Sequence, residues 1–194
     1  INGGMADWTG TLYIDYIKFV SIDEMPKVEA TNGGMIADFQ DELYSWWVAN
    51  EKLNLEKKGD VMSLECTGVG PGYETFGSAI NPMDFTKAHI VRVKARAEGA
   101  SPDLRMDFKD KNGHTTNKDP LVKKIEVSSE FKNYYYNYDG KYAQSYPDDQ
   151  TVDPTAFKDI IFFVNPGGEP YTGKLLIDEI EVITDEQYKQ LTNQ

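Results

Sequence analysis

Disulfides, long apolar runs and catalytic-triad signatures are all missing from this chain. Cys66 is its only cysteine, so no disulfide framework can staple the fold. It lies in the strand-like stretch Val61 to Cys66 and is expected to be a small core residue rather than a nucleophile. Apolar runs reach only about five residues, at Ile160 to Val164, where a membrane-crossing helix needs about 20. Histidine is limited to His89 and His114, and no nucleophile elbow is present, which leaves a Ser or Cys triad without support. Positive charge is scarce: 20 Lys and Arg face 32 Asp and Glu, a net charge of −12. Nucleic acid is therefore not expected as a partner, because its binding rests on cations that neutralise phosphates. Anionic membranes and acidic polymers are disfavoured on the same ground, whereas neutral sugars and bound cations stay open. The chain opens at Ile1 without a leader-like segment and reads as a mature product, or a piece of something longer, secreted or held at a cell surface.

What is present is organised around an internal echo. Trp8-Thr-Gly-Thr-Leu-Tyr-Ile-Asp15-Tyr-Ile-Lys-Phe-Val20 matches Tyr171-Thr-Gly-Lys-Leu-Leu-Ile-Asp178-Glu-Ile-Glu-Val-Ile183, each preceded by a Gly-Gly pair. Tandem modules explain this most simply. Residues 1–21 are then the last strand of a preceding module, 22–30 a linker, 31–184 one whole module, and 185–194 a linker or short terminal helix. Both copies run into helix-start chemistry, Ser21-x-x-Glu24 and Thr184-x-x-Gln187. The orphan strand Leu12 to Val20 would expose an apolar edge and is expected to dock on this module or on a neighbouring chain.

Between the echoes nearly everything reads as strand. Ile90 to Ala97 alternates, with Val91, Val93, Ala95 and Ala97 on one face and Arg92, Lys94 and Arg96 on the other. Leu104, Met106 and Phe108 alternate with Arg105, Asp107 and Lys109 ahead of an Asn112-Gly113 hairpin turn. Met35 to Phe39, Val61 to Cys66, Phe131 to Tyr138, Ile160 to Val164 and Lys174 to Ile183 complete the set, with one helical turn expected at Asp153 to Phe157. Short alternating strands punctuated by Gly, Pro and Asn predict an all-β fold, a jelly-roll β-sandwich.

Two kinds of residue could carry function. Asp178 sits inside a strand, where Asp is disfavoured unless something satisfies it, and it is shared with Asp15. With Asp38 on the opening strand and carbonyls of a turn such as Lys58-Gly59, it is expected to hold a structural Ca²⁺. Strict alternation sets Glu179 and Glu181 on one face and Asp178 on the other, which argues against a glycosidase carboxylate pair. The aromatics are abundant: 12 Tyr, 9 Phe and 3 Trp. Flat rings stack on the apolar faces of pyranoses while polar side chains bond the hydroxyls. Trp46 and Trp47 are adjacent, so one of them belongs to the core. Tyr73 and Phe76 lie in a Gly-rich stretch, and the cluster Tyr134 to Tyr146 is denser than a core requires. Arg92, Arg96, Arg105 and Asp107 face away from the core on two strands and could bond sugar hydroxyls.

Several stretches resemble a known family. Val152-Asp-Pro…Ile160-Ile-Phe-Phe-Val-Asn-Pro-Gly-Gly168…Tyr171-Thr-Gly…Leu176-Ile-Asp-Glu-Ile180 resembles the closing part of carbohydrate-binding modules with a galactose-binding-like jelly roll, appended to bacterial glycoside hydrolases. Ala37-Asp-Phe-Gln-Asp41 is similar to their opening, with Gln40 where the family often has Glu, and Arg105-x-Asp107 is similar to a strand of family 11 modules that bind mixed-linkage β-glucan. The resemblance implies a cleft on the concave sheet face, a calcium site using Asp178, and no catalysis. The expected ligand is a neutral β-glucan or mannan, stacked on Trp46, Tyr73, Tyr135 and Tyr138 and bonded by Arg105 and Asp107, with the job of holding an attached hydrolase near its substrate. A spacer module without a ligand and a small jelly-roll lyase or hydrolase are the alternatives.

Overall fold

A computed structural model describes residues 30–41, 43 and 45–193. The repeat strand Leu12 to Val20, with Asp15 and its expected docking, lies outside the described residues. Two antiparallel sheets face each other. One holds β3 (Leu53–Lys58), β4 (Val61–Val69), β13 (Tyr171–Ile183), β6 (Ile90–Glu98) and β9 (Lys132–Asn137) in that order, and β1 (Gly34–Ala37) pairs with the far half of β13. The other runs β2 (Trp46–Val48), β5 (Thr75–Met83), β12 (Phe157–Val164), β7 (Asp103–Asp110) and β8 (Leu121–Lys124). β10 (Ala143–Gln144) and β11 (Gln150–Thr151) form a separate two-stranded ladder, and α1 (Asp185–Thr192) closes the chain. Neighbours in the sheets are mostly not neighbours in sequence, as in a jelly roll.

Alternation builds the core. Val91, Val93, Ala95 and Ala97 of β6, Leu104, Met106 and Phe108 of β7, and Ile160, Phe162 and Val164 of β12 are all fully buried between the sheets. Aromatic rings order the interior at two points. Phe76 stacks on Phe162 with centroids 4.8 Å apart, and Phe85 meets both Phe108 and Phe157 edge-on at 4.8 Å. Such pairs add about 0.5–1.5 kcal/mol each beyond their buried area. Much of the tyrosine-rich stretch has the same purpose. Tyr136 and Tyr138 point inward from the edge of one sheet, and their hydroxyls donate to the carbonyls of Leu104 and Met106 on β7 of the other. Cys66 is buried, and burial pushes its thiol up to about 12, so it is inert at neutral pH.

Local chemistry explains the departures from expectation. The Asn112-Gly113 turn forms, but it is organised by Asp110, whose carboxylate accepts from the N–H groups of Asn112, His114 and Asp153. The returning chain makes one bridge, Lys109 to Thr115, and leaves β7 free to pair with β8. The stretch from Asp153 is a turn at Pro154 and Thr155 rather than helical, with β12 starting at Phe157, and it is held by Asp153 accepting from the N–H and hydroxyl of Thr155. Thr184 and Gln187 form the reciprocal capping box that starts α1.

Candidate carbohydrate-binding face

The outward face of the five-stranded sheet carries an exposed apolar surface beside a committed ion pair. Pairing registers set the residues in rows. Trp47, Gly77, Ile161 and Asp107 lie across β2, β5, β12 and β7, and Thr75, Phe163, Arg105 and Val122 form the next row. Ala79, Asp159 and Lys109 make a third. Trp47 is 41% exposed. A Cβ at Gly77 would stand 2.7 Å from its indole, so glycine is what lets the ring lie down against the sheet. Arg105 stacks its guanidinium over Phe163, 4.5 Å from the ring centroid. Its Nε and Nη2 donate to the two oxygens of Asp107 at 3.1 and 2.6 Å, a fork that fixes both side chains. Asp107 is fully buried, and burial raises its carboxyl above the usual range, with Arg105 working the other way.

The structure separates the residues singled out from sequence. Trp46 is not a platform: it is buried, 5.5 Å from Phe39 and stacked near Phe162, because strand alternation sends Trp46 inward and Trp47 outward. Tyr138 is likewise core, on the inward side that it shares with Tyr136. Tyr135 faces outward, but from β9 on the other sheet, where Tyr188 of α1 meets it edge-on at 4.9 Å. Arg92 and Arg96 belong to that second outer face, so of the four polar candidates only Arg105 and Asp107 share a face with Trp47. Tyr73 is 54% exposed where β5 begins, its phenol beside the turn glycine Gly167. Beneath it Glu74 is buried, bonded to Lys52 at 2.6 Å and to the N–H of Gly70 at 2.7 Å. Sequence alone left open which of Trp46 and Trp47 faces outward, and it did not single out Ile161, Phe163 or Asp159 on this face. The unbroken apolar run Ile160 to Val164 was the available signal, since alternation must turn Ile161 and Phe163 away from the core.

The carboxylates of β13 depart from simple alternation. Two residues, Asp178 and Glu179, stand opposite Lys94 in a β-bulge, so Asp178, Glu179 and Glu181 all face outward on the six-stranded sheet. Lys94 Nζ is 2.6 Å from Asp178, and Arg92 bonds Glu179 at 2.7 Å and Glu181 at 2.8 Å. Burial works against ionisation of Glu179, but Arg92 and Lys94 outweigh it and hold its carboxyl below the usual range, which is the opposite of what a general acid needs. Asp38 accepts from the N–H of Gln40 at 3.2 Å. Among the described residues no group of three or more His, Cys, Asp or Glu is placed to hold a metal ion.

No family model and no curated protein matches the chain. Solved structures do. A family 11 carbohydrate-binding module from Clostridium thermocellum, in complex with a β-1,3-1,4-mixed-linked tetrasaccharide, superposes with a TM-score of 0.56 at 18% identity, over 80% of this chain and 97% of that one. The family 11 module of the cellulosomal cellulase Lic26A-Cel5E of the same organism gives 0.57 at 19%, over 80% and 96%. The agarase AgWH50C gives 0.60 at 12% identity, over 80% of this chain but 26% of that one. At these identities the likeness is one of architecture: the chain is built on the jelly-roll β-sandwich found in family 11 carbohydrate-binding modules.

Proposed function

We propose that this chain binds a neutral polysaccharide of β-glucan or mannan type, without cutting it, on the outward face of the five-stranded sheet. The observation that carries the reading is the Trp47 indole laid over Gly77 on the same face as the Arg105–Asp107 fork and Phe163. Trp47, with Ile161, offers an apolar surface to a pyranose ring, and Arg105, held in place by the buried Asp107, and Asp159 offer polar groups to its hydroxyls. Tyr73 extends this surface at the end of the sheet where β5 begins. A net charge of −12 favours an uncharged polymer over an acidic one. The shared fold with family 11 modules, one of which has a mixed-linked tetrasaccharide bound, supports the same ligand class. In this reading the chain is a secreted or cell-surface bacterial module, repeated in tandem, that holds an attached glycoside hydrolase near its substrate through effective concentration.

Affinity electrophoresis in gels containing barley β-glucan, glucomannan, xylan or laminarin tests this. Retardation by a β-glucan or mannan gel supports the proposal and names the ligand. A folded chain that migrates freely in every gel points instead to a spacer module.

A further inference from the structure

On the outer face of the six-stranded sheet, β13 places three carboxylates within four residues, Asp178, Glu179 and Glu181. A regular strand would turn Glu179 into the core. The bulge opposite Lys94 turns it outward and crowds the three acids on one face, next to where β1 pairs with the same strand. Acids crowded like this call for a cation. Here a side chain supplies it. Lys94 Nζ lies 2.6 Å from Asp178 Oδ2 and 3.6 Å from Glu179 Oε1, while Arg92 Nη2 lies 2.7 Å from Glu179 Oε2 and 2.8 Å from Glu181 Oε2. Arg92 also reaches Asn133 on β9, which locks it across three strands. Two fixed cations thus answer three carboxylates, and Asp38 turns to the backbone of Gln40.

We infer that Lys94 takes the place of a calcium ion at Asp178: its ammonium is the resident cation of the β13 bulge, and the sandwich closes there without metal. Calcium requires six to eight oxygens at about 2.3–2.6 Å. An ion at Asp178 would have to displace an ammonium already within hydrogen-bond distance and sit beside the Arg92 charge. The inference is independent of the sugar-binding reading.

Thermal melts in excess calcium or excess EDTA, with a calorimetric calcium titration, test it on the wild-type chain, Lys94→Met and Asp178→Asn. The wild-type midpoint is expected to be the same in calcium and EDTA. Lys94→Met, which keeps the length of the side chain but removes its charge, is expected to melt lower by about 2 °C or more. Calcium binding that survives Asp178→Asn lies elsewhere and upholds the inference. Saturable binding to the wild type that Asp178→Asn abolishes overturns it, as does a Lys94→Met midpoint equal to or above the wild-type value. Should Asp178→Asn fail to fold, the Lys94→Met midpoint decides alone.

Discussion

Adjacent on β2, Trp46 is buried against Phe39 and Phe162 while Trp47 lies open on the outer face. That one of Trp46 and Trp47 is buried follows from alternation, but β2 is three residues long and too short to set its own phase. Trp46→Ala is expected to cost about 3–5 kcal/mol in urea unfolding, as large aromatic truncations in a core do. Two buried acids should respond to pH in opposite directions. Burial raises the Asp107 carboxyl despite Arg105, so folding disfavours its ionised form. The stability of the wild type relative to Asp107→Asn is greatest below the ordinary carboxylate value and falls as pH rises through the raised folded value. Burial of Glu74 is outweighed by Lys52 and the Gly70 N–H, and its carboxyl is held low. The stability of the wild type relative to Glu74→Gln is therefore full above the ordinary glutamate value and is lost as pH falls through the lowered one. Urea unfolding across the acid range reads both slopes.

At the scale of elements, β6, β7, β12 and β13 announce themselves by alternation, and the Thr184 capping box gives the start of α1. β5 was illegible because Gly77, Asn81 and Pro82 interrupt its pattern, although Gly77 is there to admit the Trp47 ring. The bulge in β13 was invisible for a different reason: a one-residue slip of register is set by the partner strands, not by the strand's own residues. The Tyr134 to Tyr138 stretch shows its parity plainly but not which side faces the other sheet. That direction makes Tyr136 on edge strand β9, and Tyr138 just beyond it, staples to β7. Tyr136→Phe leaves the Leu104 carbonyl without this donor and is expected to cost about 1 kcal/mol in urea unfolding.

For the whole molecule, composition and strand count led to a β-sandwich, whereas nothing short of the topology could say that Arg92 and Arg105 lie on different outer faces. The two faces have different chemistry. The six-stranded face is a charged ladder whose acids and bases satisfy one another, and the five-stranded face leaves an indole and apolar side chains open. An uncharged sugar on the latter face should bind with an affinity that calorimetric titration finds unchanged between low and high salt, because no ion pairs with the ligand are screened. The face itself is tested most directly by titrating the retarding oligosaccharide into Trp47→Ala and Tyr135→Ala, which alter opposite sheets. Trp47→Ala is expected to lose affinity by about tenfold or more, a difference of about 1.4 kcal/mol, while Tyr135→Ala keeps wild-type affinity. Full affinity in Trp47→Ala together with loss in Tyr135→Ala would contradict the account and move the site to the other sheet.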